Sequence, residues 1–207
     1  ETYRRTEGRL NIQTNQLGEL GLKGSEALVT IAEGDYQMME IGYGYASADE
    51  PLLSMYSVMG LNFSRAEAKK MSEFNADLIQ QVFDKYNALA LPLTIHFPSQ
   101  GLFSKIPVRT IADLKGLKMR SWSKIQAEHL TVLGASPQVI PWAEAYTALQ
   151  QGVVDAAITT PSAGLAVGFP EIVDYLSLLP QGDRSSLLVN KDAWNSLPSD
   201  VRTIVLE

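Results

Sequence analysis

The chain has no cysteine. Thiolate metal sites, thiol nucleophiles and disulfide scaffolds are therefore excluded, and the lack fits an exported bacterial protein. Only two histidines, His96 and His129, occur in 207 residues. His129 falls mid-helix with no acidic or histidine partner four residues on, and His96 falls in an apolar strand, so no zinc-type spacing exists. Both read as structural. No stretch approaches the ~18 uninterrupted apolar residues of a membrane span. Basic residues are outnumbered, 17 Lys and Arg against 23 Asp and Glu, so the basic footprint needed for nucleic acid or an anionic membrane is missing. No Gly-x-Ser-x-Gly elbow is present to anchor a hydrolase triad. The sequence shows no activated nucleophile.

What is present is a globular balance: 45% hydrophobic and 19% charged residues, enough apolar material for one large domain or two small ones. Both ends read as cut. Glu1–Glu7 resembles the last turn of a helix closed by Gly8, and the apolar stripe of 199–206 is still running at the C-terminus. No secretory signal is seen, and a chain that starts inside a helix could not show one.

Between the ends, strands and helices alternate. The alternating run 9–14 predicts a strand, 22–33 a helix ended by Gly34, and 37–41 a strand. Ser64-Arg65-Ala66-Glu67 is a capping box opening a helix to about Tyr86. Further strands are expected at 89–97, 117–120, just before Pro141, 153–158 and 185–189, with helices at 123–133, 143–151 and from Ser199. This βαβα order favours α/β architecture with mainly parallel sheets. A helix followed by Gly34-Asp35-Tyr36-Gln37 and an apolar strand is echoed by a helix, Gly152-Val153-Val154-Asp155 and an apolar strand, which suggests two α/β units. Ligands on such sheets bind beyond the carboxyl ends of the strands. That rule singles out Gly42–Tyr45, Arg120–Trp122 and Thr159–Ser162.

Gly42-Tyr43-Gly44 supplies a G-x-G, but the third glycine of a dinucleotide fingerprint is absent. Leu61-Asn62-Phe63 stands where a ribose-binding acid is required. Arg120 ends a strand just before a helix N-terminus. Two readings stand on position alone: a solvated arginine in a surface ion pair, the common fate of such charges, or a planar fork for a carboxylate. Trp122, Trp142, Tyr146, Tyr43 and Tyr45 serve equally as core or as pocket wall, with loop placement favouring Trp122 and Tyr43.

The segment Ile111-Ala112-Asp113-Leu114-Lys115-Gly116-Leu117-Lys118-Met119-Arg120 continues through Leu133-Gly134-Ala135-Ser136-Pro137 to Ala145-Tyr146-Thr147-Ala148-Leu149-Gln150-Gln151-Gly152-Val153-Val154-Asp155. Together with Gln16-Leu17-Gly18, Ser104-Lys105-Ile106-Pro107-Val108 and Trp194-Asn195-Ser196-Leu197-Pro198, it closely resembles the extracytoplasmic solute-binding proteins of TRAP transporters, the DctP family. The motifs cover essentially the whole chain in order. The resemblance implies a two-lobed α/β fold of the type II periplasmic binding protein kind, with lobe I at 1–97 plus 185–207 and lobe II at 98–184. The family's first strand, most of its first helix and its C-terminal helices would be missing. It further implies a non-enzymatic periplasmic protein without a cofactor. Such a protein closes on a small organic anion and passes it to the small and large membrane subunits of a TRAP permease.

The family's carboxylate-binding arginine falls on Arg120, and a ring that packs against ligand falls on Trp142. Thr159 stands where the family often has asparagine, and Gln100 where some members have a second arginine. Fewer cations, with Tyr43, Trp122 and Trp142 present, imply a monocarboxylate with an apolar or aromatic body, or a sulfonate of like geometry. Two other classes stay open. A ligand-sensing domain of a signalling receptor needs a transmembrane helix beyond Glu207, and a small α/β hydrolase needs turnover lost on mutating a Ser or His.

Overall fold

The protein is described by a computed structural model, which covers residues 1–60, 64–97, 99–179 and 181–207. In chain order the elements are α1 (Thr2–Arg5), α2 (Ala27–Glu33), β1 (Met38–Gly42), α3 (Tyr43–Ala46), α4 (Arg65–Phe74), α5 (Ala76–Asp84), β2 (Ala88–Phe97) and β3 (Gln100–Ser104). There follow β4 (Lys118–Ser121), α6 (Lys124–Val132), β5 (Ser136–Val139), α7 (Trp142–Gln150), β6 (Ala156–Thr159), α8 (Pro161–Ala166), β7 (Tyr175–Leu179), β8 (Asp183–Asn190), α9 (Lys191–Ser196) and α10 (Ser199–Leu206).

Local chemistry sets many of these boundaries. The Ser64 hydroxyl accepts from the Glu67 amide while Glu67 accepts from the Ser64 amide, completing the capping box of α4. Ser123 caps α6 by accepting from the Gln126 amide. Gly34 and Gly152, at φ 80° and 74°, end α2 and α7 in the left-handed region that a side chain resists. The internal echo is therefore a repeated stop-and-turn before β1 and β6. The expected helix from Ser64 to about Tyr86 is two helices, because Asn75, at φ −100° and ψ 6°, leaves helical geometry between α4 and α5.

Two sheets result. One has the order β1-β8-β2 and is antiparallel throughout. Its core is Leu28, Ile31, Ile41, Leu53, Phe83 and Leu188. The other has the order β5-β4-β6-β3-β7. Here β4 runs parallel to β5 and β6, whereas β3 is antiparallel to β6 and β7. Parallel pairing is thus confined to β5-β4-β6, contrary to the expectation of mainly parallel sheets. The second sheet is covered on both faces. Leu102, Met119 and Ile158 pack to one side, and Phe103, Ala157 and Phe169 to the other. Covered on both faces, β3 and β6 are buried without alternation.

Residues 9–14 form no strand. Their alternation satisfies the pattern of a strand but finds no ladder. Ile12, Gln13 and Thr14 face Met38, Met39 and Glu40 of β1 across a cavity of about 390 Å³, and among the described residues no strand pairs with the outer edge of β1. The triplet 61–63, where a ribose-binding acid would fall, lies outside the described residues.

Candidate ligand-binding site

Strand alternation places Arg120. Met119 points into the core on one face of the second sheet, so Arg120 points to the opposite face, beneath α7. It is 1% exposed. Its Nε donates to the Ile140 carbonyl at 2.9 Å and its Nη1 to the Ile158 carbonyl at 3.0 Å. The guanidinium carbon lies 5.6 Å from the Trp142 ring centroid, a cation–π contact. Nη2 is buried with no partner. Arg120 is thus not a solvated surface charge. Burial pulls its pKa down and Tyr45 acts in the opposite sense, yet a guanidinium stays charged in proteins. Among the described residues no carboxylate forms an ion pair with it. A buried, fixed and uncompensated cation with an unused donor is a receptor for an anion. With Nε occupied, the fork available to a carboxylate is the end-on one, from Nη1 and Nη2.

Arg120 lines a cavity of about 190 Å³ together with Gln100, Trp122, Trp142, Thr159 and Asp183. Five of the six residues singled out from the sequence meet there. Gln100 begins β3 and Thr159 ends β6, and both are buried. Trp142 opens α7 behind Pro141. Trp122 follows β4, and its Nε1 is buried without a hydrogen-bond partner. Tyr43 is not among the lining residues. It is turned into the core of the first sheet, packs edge-on against Tyr56 and Phe83, and shares a 2.7 Å hydrogen bond with Ser186 Oγ. Tyr45 lines the cavity instead. Neither histidine does.

A wider cleft of about 640 Å³ shares Tyr45, Trp142 and Asp183 with this cavity and extends past Glu40, Lys23 and Tyr146. Gly44 explains the partial G-x-G. A Cβ there would lie 2.5 Å from Trp122 Nε1 and 3.2 Å from Asp183 Oδ2, so the glycine lets α3 approach the tryptophan that follows β4. No group of three His, Asp or Glu side chains suited to a metal occurs among the described residues.

Sequence reading missed Asp183. It opens β8 and is buried. Its Oδ1 accepts from Ser57 Oγ and from the Arg184 amide, each at 2.8 Å. Burial pushes its pKa up to about 6, against the lowering pull of Ser57, of the Arg184 and Gly44 amides and of the Trp122 indole, which approaches short of hydrogen-bond geometry. No motif marks it, and only the β7–β8 crossing between sheets brings it to the cavity.

Comparison with known proteins gives a consistent result. The profile described as bacterial extracellular solute-binding protein, family 7 (DctP) matches residues 1–207. The monocarboxylate 2-oxoacid-binding periplasmic protein of Nostoc sp. is 28% identical over 205 residues, 96% of this chain and 56% of that protein. The structure of DctP7, a Bordetella pertussis extracytoplasmic solute receptor binding pyroglutamic acid, superposes with a TM-score of 0.92 at 29% identity. That match covers 100% of this chain and 68% of that one. A TRAP periplasmic solute-binding protein from Pseudoalteromonas atlantica, with bound sodium and pyruvate, gives 0.83 at 28% identity over 99% of this chain and 63% of that one. The chain thus spans little more than half of the Nostoc relative and about two thirds of these structures. With the profile unbroken from Glu1 to Glu207 and the two-lobed α/β fold shared, this chain belongs to the DctP family of bacterial extracellular solute-binding proteins.

Proposed function

We propose that the protein is the periplasmic substrate-binding component of a TRAP transporter. It captures a small organic carboxylate in the interlobe cleft and presents it to the small and large permease subunits for sodium-coupled uptake. Lobe I, residues 1–97 with 185–207, closes against lobe II, residues 98–184, and the two join near the β2–β3 connection and the start of β8. Asp183 stands at the junction. Binding is reversible and involves no bond making. The carboxylate meets Nη1 and Nη2 of Arg120, Thr159 and Gln100 add neutral hydrogen bonds, and Trp122 and Trp142 exclude water. Exclusion of water lowers the local dielectric and strengthens the ion pair. Pyroglutamic acid in the Bordetella relative and 2-oxoacids in the Nostoc relative support a monocarboxylate.

The observation that carries this reading is the Arg120 guanidinium, held by two backbone carbonyls with Nη2 unsatisfied in the cavity. Arg120→Ala is expected to weaken binding of the cognate acid by about 2–5 kcal/mol. Calorimetry on the full-length protein, after a thermal-shift screen of organic acids and sulfonates, measures the loss. An unchanged affinity sinks the assignment.

A further inference from the structure

The cavity that holds Arg120 also holds a carboxylate, and this bears on what the ligand must carry besides its own charge. Asp183 and Arg120 line the same space of about 190 Å³, one on the first residue of β8 and the other on β4. Among the described residues no lysine, arginine or histidine forms an ion pair with Asp183. Its neighbours are donors without charge: Ser57 Oγ and the Arg184 amide on Oδ1, with the Gly44 amide and the Trp122 indole on the same group. The aromatic hydroxyls nearest the site are Tyr45, which lines the cavity, and Tyr43, which is engaged by Ser186. The charged groups around it are Arg120 across the cavity, Glu40 and Lys23 along the wider cleft, and Arg184, whose guanidinium stacks on Tyr43 and Tyr56.

A carboxylate is an acceptor with about four lone-pair sites when ionised. Burial raises the Asp183 pKa only to about 6, so at pH 7.5 the ionised form predominates. A second negative group on the ligand would meet it across the cavity and be repelled, and a bare carbonyl or ether oxygen would face it lone pair to lone pair. The hydrogen bonds from Ser57 and the Arg184 amide both fall on Oδ1, so a ligand N–H or O–H, by contrast, finds an acceptor at Oδ2. We propose that Asp183 is a specificity determinant that selects carboxylates bearing a hydrogen-bond donor, such as a lactam N–H or a 2-hydroxyl, over dicarboxylates and 2-oxoacids. This rests on the proposed carboxylate site at Arg120 and narrows its ligand class. At 28% and 29% identity, the 2-oxoacid-binding and pyroglutamic-acid-binding relatives are equally similar; Asp183 favours the donor-bearing class.

The test uses the full-length protein and acids matched in all but one group. Pyroglutamate is compared by calorimetry at pH 7.5 with 5-oxotetrahydrofuran-2-carboxylate, in which the ring N–H is a ring oxygen, and lactate is compared with pyruvate. The donor-bearing member of each pair that binds is expected to be at least about ten-fold tighter, because the site's acceptor is otherwise left opposing a lone pair. In Asp183→Asn the side-chain amide can turn to donate, so the ratio is expected to fall to within about three-fold, while malonate gains affinity. Equal or reversed affinities in the unmodified protein overturn the donor assignment and leave the Arg120 site standing. Failure of every acid in a wider panel to bind overturns the carboxylate site itself, and the donor assignment with it. The comparison within the unmodified protein needs no variant, so a poorly folding substitution does not blunt it.

Discussion

Asp183 has a consequence for stability as well as for selectivity. Its pKa, about 6 against an ordinary 3.8, means that the folded protein holds this proton more tightly than the unfolded chain does. Between those values the native state carries more protons, so stability falls as pH rises through the window and levels off above about 7. A shift of this size corresponds to about 3 kcal/mol at most. Asp183→Asn keeps an oxygen for Ser57 and the Arg184 amide but removes the buried charge. The variant is expected to be about 1–3 kcal/mol more stable than the unmodified protein at pH 7.5 and close to equal at about pH 3, by urea unfolding at each pH. A loss of stability at both values would contradict this account. Single residues also show the limits of a sequence reading. Position at a strand end left Arg120 open between a surface ion pair and a carboxylate fork, and only the family resemblance pointed to the cavity that it lines. Tyr43 and Tyr45 are two positions apart in the same turn, and nothing in their spacing says which of them enters the core. The contacts that decide it, with Tyr56, Phe83 and Ser186, come from 13 to 143 positions away along the chain.

At the scale of elements, glycines mark where two pieces of backbone come close. The Gly44 position in α3 abuts Trp122 after β4, and a Cβ at Gly164 in α8 would sit 2.4 Å from the Phe103 ring on β3. The two sites separate binding from folding. Gly44→Ala is expected to displace the Trp122 indole, weaken ligand binding and alter tryptophan fluorescence, at about 1–3 kcal/mol of strain. Gly164→Ala crowds the core between Phe103 and α8, one residue from the cavity-lining Ala163, and is expected chiefly to lower the melting temperature. Paired thermal melts and fluorescence titrations distinguish them. Most helices and central strands were readable from caps, periodicity and stop glycines. The strands β3 and β7 were not. Each is five residues long, the first is buried throughout, and its partners lie more than fifty positions away. The run 9–14 failed in the opposite way, with a strand pattern and no strand to pair with.

For the molecule as a whole, a buried chain of amides links the two lobes beneath the cleft. The Trp122 amide donates to Gln126 Oε1 at 3.1 Å, Gln126 Nε2 to Gln181 Oε1 at 2.9 Å, and Gln181 Nε2 to the Ser57 carbonyl at 3.0 Å. The Ser57 hydroxyl then reaches Asp183. These contacts join α6 of one lobe to the turn after Tyr56 in the other, and only contacts that an open form lacks can favour closure. Gln126→Ala leaves the Trp122 amide and Gln181 Oε1 unpaired, costing about 1–3 kcal/mol in the closed state. Ligand dissociation measured by stopped flow is expected to be about ten-fold faster, with the order of preference among acids unchanged; an unaltered rate would remove the network from the closing mechanism. The two-lobed organisation itself was visible through the echo around Gly34 and Gly152 and through family motifs. This relay was not, since its members are polar residues of ordinary spacing brought together by the sheet-to-sheet crossing.

The outer edge of β1 bears on colloidal behaviour. A strand with a row of free backbone donors and acceptors is a template for a second copy of itself. The simplest such pairing sets two β1 strands antiparallel about a twofold axis through their middle residue, which is Glu40. Each dimer would then press one Glu40 carboxylate directly against another, an arrangement that opposes pairing. The same acid accepts a hydrogen bond from Ser185 at 2.7 Å, which ties it to β8. Glu40 therefore opposes edge-to-edge pairing wherever this edge is left uncovered by chain outside residues 1–207, and a neutral residue there would remove that opposition.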